Sequence, residues 1–388
     1  MDKKNVLIVH NYYKIHGGED TVVQNEIKML KKRNYNVYTY FRYNKEIDLL
    51  NIFGKIKMIP NTIFSFKTIK EVREILKSKN IDIVHVHNTF PLISPSIYWI
   101  SKKYNAKVIN TIHNYRFICA SANLYRDGKI CEKCMRNRIY GLKNKCYRNS
   151  YFQTTLLLLS NYFNRIIKSY EKVDKYICLT KFNKSKMKKI INEGKIVIKG
   201  NFESNIEKDK SLFEKRENFV YLGRLEKAKG IDLLVKAWKK NQADKLIIIG
   251  DGELKKEIID FIDQNNIENI EVVGSLKRDK AMNIIKKSKS LIFPSQCYET
   301  FGLVAIEALK RGTPIIANNL GSIPELLIDK RCGILKKIDN ENDIIDAVKE
   351  FQDLYEKNYF NNEYIYNMYK DKYTEESNFE ILKNIYET

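Results

Sequence analysis

Residues 295–320 read SQCYETFGLVAIEALKRGTPIIANNL, and the change of period inside this stretch decides the fold. A short β-branched and aromatic run, SLIFP at 290–294, precedes it, and another, TPIIA at 313–317, lies within it. Both have the length and composition of strands, whereas the apolar positions between them recur with helical spacing. Strand, loop, helix, strand is the repeating unit of a parallel sheet. The helix is predicted to begin near Gly302, so the backbone N–H groups of Phe301, Gly302 and Leu303 face back toward the carboxyl end of the preceding strand. Open α/β sheets hold their ligands there, and helix N-termini attract phosphate. Glu299 stands just before that point and Glu307 lies inside the helix, so one carboxylate can reach beyond a bound phosphate and the other behind it. Alone, the pair also reads as a loop charge and a solvated helix residue.

The flanking chain repeats the pattern. FVYLG at 219–223 is a strand that runs into Arg224 and Lys229, followed by the helix IDLLVKAW at 231–238. Two cations beside a strand-to-helix turn suit a diphosphate, since Arg can bind two oxygens and Lys acts as a point charge. LIIIGDGEL at 246–254 is a strand, a glycine turn and a helix start, and IEVVGSL at 270–276 is the next strand. The first half opens with NVLIVHNYY at 5–13, a buried parallel strand, then His16-Gly17-Gly18-Glu19 and a helix. Gly17 and Gly18 thus fall in a turn where a phosphate could approach the backbone closely. The strand at 81–88, IDIVHVHN, puts His85 and His87 on one face with no carboxylate or third histidine evident there; packing or the lining of an acceptor site is the expected role. A later strand at 107–112 runs straight into His113, in HNYRFIC.

Taken as a set, these motifs resemble those of the retaining family 4 glycosyltransferases: Glu299 and Glu307 eight apart with FG after the first and EA at the second, and GRL followed by KG at 223–230. The resemblance covers the chain apart from one cysteine-bearing insert, and it implies the α/β GT-B fold, two doubly wound Rossmann-like domains facing across a cleft. It also implies roles: Glu299 and His113 toward the donor sugar, Arg224 and Lys229 on the pyrophosphate and the departing phosphate, Gly17, Gly18 and the N–H groups of Phe301, Gly302 and Leu303 toward sugar and diphosphate, Gly274 near the base, and Glu307 on the ribose. The implied reaction transfers a sugar from a nucleoside-diphosphate sugar to an acceptor hydroxyl of a glycan or lipid-linked intermediate, with retention and no catalytic metal. The expected domains are 1–204 with a basic insert at 116–148, a linker at 205–218, a nucleotide-sugar-binding domain at 219–370, and a final helix at 371–388 crossing back to the first.

Within the insert, Cys119, Cys131, Cys134 and Cys146 are spaced C-x11-C-x2-C-x11-C. In a reducing compartment this spacing suits a structural zinc, while ordinary thiols with a suggestive CxxC are the alternative. From Arg116 to Arg148 nine Lys or Arg stand against Asp127 and Glu132, a local excess of seven. Next comes YFQTTLLLLSNYFNRIIKSY at 151–170, apolar, aromatic and without an acidic residue. A basic segment beside such a helix suits an anionic membrane surface, and a plain core helix is the competing reading.

The 388 residues carry a net charge of +22, 69 Lys and Arg against 47 Asp and Glu, but Lys dominates throughout, so much of the excess reads as a solvated surface. The N-terminus MDKKNVLIVHNYY lacks a signal-peptide pattern, and the expected setting is cytoplasmic, peripheral on the inner face of a membrane. Two other classes share parts of the pattern. A nucleotide-sugar epimerase or a phosphorylase would keep the diphosphate cradle, and a basic zinc-containing nucleic-acid-binding protein would use the charge and the cysteines, though no stacking motif accompanies them.

Overall fold

The structure, a computed structural model, describes residues 3–15, 17–203, 216–240, 244–327 and 329–388. The chain divides into two compact units, the first made of 1–123, 132–201 and 378–388, the second of 124–131 and 202–377.

The first unit contains β1 (Asn5–Tyr12), α1 (Gly18–Lys32), β2 (Asn36–Tyr43), α2 (Ile52–Ile63), α3 (Phe66–Lys79), β3 (Ile83–Val86), α4 (Ser96–Lys103) and β4 (Lys107–Ile112). After the hairpin β5 (Tyr125–Arg126) and β6 (Lys129–Ile130), which groups with the second unit, it continues with α5 (Lys133–Arg136), α6 (Ile139–Lys143), α7 (Tyr151–Ile166), β7 (Lys175–Cys178), α8 (Lys181–Met187) and β8 (Ile196–Ile198). The second unit holds β9 (Phe219–Leu222), α9 (Ile231–Lys240), β10 (Leu246–Ile249), α10 (Lys255–Gln264), β11 (Ile270–Gly274), α11 (Arg278–Lys287), β12 (Ser290–Phe293), α12 (Leu303–Leu309), β13 (Ile315–Asn318), α13 (Ile323–Leu326), β14 (Gly333–Lys336), α14 (Glu341–Glu356) and α15 (Asn362–Lys372). The last helix, α16 (Glu375–Glu387), starts in the second unit and packs on the first from Asn378 onward.

Among the described residues each unit has one six-stranded sheet, ordered β2-β1-β3-β4-β7-β8 and β11-β10-β9-β12-β13-β14, with the paired strands parallel throughout. The reason is in the strands themselves. β1, β9, β12 and β13 are runs of Val, Ile, Leu and Phe buried on both faces, which only a sheet covered by helices on both sides can accommodate. Strand order reverses between β1 and β3 in the first sheet and between β9 and β12 in the second, and at such a reversal the connecting helices diverge to opposite faces and leave a crevice at the carboxyl ends.

The insert at 116–148 carries a hairpin and two short helices, and its Ile118, Cys119, Leu124 and Cys134 are buried. Of the expected linker, 205–215 lie outside the described residues, while Arg216 is buried in the second unit and donates to the Ser288 and Arg311 carbonyls and the Thr313 hydroxyl.

The first unit is organised around a buried ion pair. Lys199, just after β8, places its ammonium 2.8 Å from the Glu26 carboxylate of α1, with side chains 1% exposed on both partners. Lys199 also donates to Asn378 of α16, whose amide in turn donates to the Gly200 carbonyl. Burial pushes the Glu26 carboxyl up, but Lys199 together with His85 and His87 holds it well below the ordinary 4.5. Replacing Glu26 by Gln strands a buried ammonium and is expected to cost about 3–5 kcal/mol, whereas the double change Glu26→Gln, Lys199→Met should cost much less. Because the folded value lies below the unfolded one, the carboxylate's contribution is complete above pH 4.5 and disappears as pH falls through the folded value. Urea denaturation of wild type, single and double variants near neutrality checks the first statement; equal losses in single and double variants would contradict it.

Candidate functional site

In the second unit the two sides of the β9/β12 reversal supply the chemistry. The carboxyl end of β9 leads through Arg224 into a single 3-10 turn at Lys227–Lys229, closed by Gly230. Gly230 has φ +71°, and a Cβ there would sit 2.1 Å from the Pro294 carbonyl oxygen, so only glycine lets this turn lie against the end of β12. That contact brings the Lys229 ammonium 2.5 Å from Glu299 Oε1, to which the Ser295 hydroxyl also donates at 2.8 Å. The Ser322 hydroxyl donates to the Glu299 carbonyl and fixes its backbone. Burial would lower the Lys229 ammonium and raise the Glu299 carboxyl; the pairing overrides both, so Lys229 is raised, Glu299 is lowered, and each holds its charge. Arg224 is 67% exposed, with Nη2 2.9 Å from Glu226. The pair and the neighbouring guanidinium, itself beside Glu226, put two cations at the strand ends, able to meet an oxyanion in more than one geometry.

α12 follows Phe301 and begins at Leu303, with Gly302 as its left-handed N-cap at φ +101°. A Cβ at Gly302 would come within 2.9 Å of Ile323, so the turn into the helix is packed from below. Glu307 is buried, which excludes the solvated reading, and its carboxylate accepts from Arg278, whose guanidinium is also 2.6 Å from Glu203. Burial raises the Glu307 carboxyl, with Glu203 adding to the effect and Arg278 opposing it. Gly274 ends β11 at φ +72° and its carbonyl accepts from the N–H of Gly250, just after β10.

In the first unit His113 directly follows β4 and stacks on His87, with Nε2 2.9 Å from His87 Nδ1. His87 Nε2 lies 3.2 Å from Glu26 Oε2. Burial first, then neighbouring imidazoles, lowers His85 and His113, and burial lowers His87 despite Glu26, so the row is neutral. His87 Nδ1 and His113 Nε2 share one hydrogen bond, whose direction depends on the tautomer. His85 bonds the Thr111 and Tyr386 hydroxyls at 2.7 and 2.8 Å. The expectation that no carboxylate or third histidine joins His85 and His87 is overturned: Glu26 arrives from α1 and His113 from β4.

Gly17 precedes α1 and Gly18 begins it, and a Cβ on Gly17 would meet nothing within 4 Å, as close backbone approach requires. The Gly17 N–H is however taken by Asp20 at 2.9 Å, and Asp20 also bonds His10 at 2.7 Å. His16 lies outside the described residues.

The cysteines fare differently. All seven are thiols, and Cys119, Cys134 and Cys146 belong to the first unit while Cys131 closes the hairpin grouped with the second. Among the described residues the compact group of metal-type ligands is Glu26, His85 and His87, and it contains no cysteine. Cys119, Cys134 and Cys146 form no such group among the described residues. Glu26, His85 and His87 do not fit a metal either, since the Lys199 ammonium already supplies the cation against Glu26.

Sequence reasoning missed Glu26, Lys199 and Arg278. One signal existed for Glu26: it falls on the buried stripe of α1 with Val22, Val23, Ile27 and Leu30.

Comparison with known proteins agrees with this geometry. Residues 16–201 match the family model Glycosyltransferase Family 4, and 202–371 match Glycosyl transferases group 1. An uncharacterised glycosyltransferase of Methanocaldococcus jannaschii is 27% identical over 350 residues, 89% of this chain and 87% of that one. An uncharacterised 42.6 kDa protein in the cps region of Klebsiella pneumoniae is 27% identical, covering 80% of this chain and 76% of that one. A solved structure of Anabaena HepE in complex with UDP-glucose superposes with a TM-score of 0.64 at 10% identity, over 99% of this chain and all (100%) of that one. With both halves of the chain matched and the two parallel sheets in place, the protein is a glycosyltransferase of the GT-B fold.

Proposed function

We propose that the chain transfers a sugar from a nucleoside-diphosphate sugar to a hydroxyl of a lipid-linked glycan, with retention at the anomeric carbon. The observation that carries the donor half is the Lys229–Glu299 pair at the β9/β12 reversal, flanked by the exposed guanidinium of Arg224. The UDP-glucose in the related fold favours the same ligand class. In this reading Arg224 and Lys229 bind the diphosphate, Glu299 and His113 meet the donor sugar, and Glu307 accepts from the ribose.

For the chemical step, the bond between the anomeric carbon and the phosphate oxygen breaks and the acceptor oxygen attacks from the same face. The acceptor's proton passes to the departing phosphate oxygen. Lys229 and Arg224 offset the charge growing on that oxygen, and no metal is required for it. Held charged by Glu299, Lys229 does this without a change of protonation. One of a panel of nucleoside diphosphates should raise the melting temperature of wild type but not of Glu307→Ala or Lys229→Ala, and Lys229→Ala should lower kcat on the order of 10²–10³-fold. No shift with any nucleotide, with wild type folded, would refute the donor assignment.

The acceptor half rests on the outer surface of the first unit. α7 is turned inside out relative to an ordinary surface helix: it buries Thr154, Ser160 and Asn164 beside Leu157, and exposes Tyr151, Phe152, Leu159, Tyr162, Phe163 and Ile166. α2, packed beside it, exposes Ile52 and Phe53, each 70% exposed, and Ile56. No described helix is long and apolar enough to cross a membrane. Two short apolar helices with Lys55, Lys57, Lys143, Lys145 and Arg148 around them fit the surface of an anionic bilayer, at about 1 kcal/mol for each basic residue near it. Vesicles of phosphatidylcholine with phosphatidylglycerol should sediment wild type at low salt. Neutralising Lys143, Lys145 and Arg148, or changing Phe53 and Phe152 to Ser, should each reduce that binding several-fold; unchanged binding in both would refute docking here.

A further inference from the structure

A cavity of about 60 Å³ opens at the carboxyl ends of β3 and β4, and the mechanism above uses only one of its residues, His113. Asn88, Asn114 and Arg116 share its wall with Thr62 of α2 and Asn161 of α7. Arg116 is held there by aromatic rings: its guanidinium carbon lies 5.0 Å from the centroid of Phe90 and 5.3 Å from that of Tyr147. Its main chain is pinned as well, the N–H donating to Asn114 and the carbonyl accepting from Asn161. Nη1 of this fixed guanidinium is buried and, among the described residues, has no hydrogen-bond partner. A buried donor left without an acceptor is costly, more so on a charged group, so a cation fixed in that condition points to an acceptor supplied by a ligand.

We propose that Arg116 binds a phosphate group of the acceptor, with the side-chain amides of Asn88 and Asn161 beside it. A guanidinium held against two rings that meet edge to face keeps N–H groups in a fork, which suits a phosphate's paired oxygens. Neighbouring charge permits this. Burial first, then Asp20, pushes the Glu19 carboxyl up to about 7 against the pull of His10 and Arg116, so it quenches the guanidinium only in part at neutral pH. The assignment rests on the proposed reaction with a lipid-linked acceptor and names the group of that acceptor the enzyme recognises. Because α2 and α7 line the cavity inside and expose their apolar faces outside, a phosphate bound at Arg116 would lie next to the surface proposed to meet lipid. The phosphate could belong to a lipid or to the glycan itself.

Calorimetric titration of the full chain with geranyl diphosphate, geraniol, inorganic pyrophosphate and UDP separates the cases. Geranyl diphosphate should bind wild type, weaken at least tenfold in Arg116→Gln and recover in part in Arg116→Lys, while geraniol should not bind. Pyrophosphate binding that equals geranyl diphosphate and falls equally in Arg116→Gln would support the site and assign the phosphate to the glycan. UDP binding unchanged in Arg116→Gln shows a folded protein with the donor face intact. Wild type that binds geranyl diphosphate but not UDP would sustain this site while counting against the donor reading. The proposal is overturned if Arg116→Gln binds geranyl diphosphate as wild type does, if geraniol binds equally well, if wild type binds neither diphosphate, or if Arg116→Gln loses UDP to the same degree.

Discussion

Glu26 and Lys199 hold opposite charges 2.8 Å apart where water does not reach, and the first unit is arranged around keeping them together. Desolvating two charges is repaid only when their geometry is good and the remaining lone pairs and protons find partners. Here the second Glu26 oxygen meets His87, and Lys199 makes a further bond to Asn378. Helix α1, strand β3, the residue after β8 and helix α16 therefore converge on one pair. If any of the four shifted, a charge would be left unpaired in the interior. The histidine row begins beside that anchor: His87 Nε2 lies 3.2 Å from Glu26, and His113 bonds the other ring nitrogen of His87.

The second unit uses the same pair of charges differently. Lys229 and Glu299 are 19% and 14% exposed and lie at a strand-end crevice, beside an Arg224 that is mostly in solvent. A sealed pair can only position its neighbours. A pair at an open edge can exchange part of its mutual attraction for a ligand's oxyanion and hydroxyls at little reorganisation, because both groups are already charged and already placed. Gly230 sets that geometry, since its lack of a Cβ lets the Lys227–Lys229 turn touch the end of β12.

The alternation of strand and helix, the glycine turns and the spacing of Glu299 and Glu307 were legible because each depends on residues close in sequence. What could not be read depends on partners far apart. Glu26 sits at an apolar position of an amphipathic helix, and nothing near it in sequence announces Lys199. His85 and His87 looked unaccompanied for the same reason. At the first glycine turn the motif was visible, but not that Asp20 takes the Gly17 N–H. The cysteine spacing says less: C-x11-C-x2-C-x11-C is compatible with a cage, and a hairpin and two short helices stand between its members. Spacing constrains what a chain can bring together, and the elements between the cysteines decide whether it does.

The same limit explains why TTLLLLSNYF could not be assigned to core or surface. Periodicity shows that a helix has two faces, and it does not say which one turns inward. The answer lies at the end of α2. Its last carbonyls have no partner within their own helix. The Ser160 hydroxyl donates to the Thr62 carbonyl at 3.0 Å and the Asn164 amide to the Ile63 carbonyl at 2.8 Å, so the polar face of α7 caps α2. That service obliges the polar face to point inward. The aromatic and aliphatic face is left exposed, with Lys145 against Tyr151 at its start. Hydrogen bonding at one helix terminus is therefore what presents an apolar surface to the surroundings, and the same two carbonyl contacts bring Thr62 and Asn161 to the wall of the Arg116 cavity.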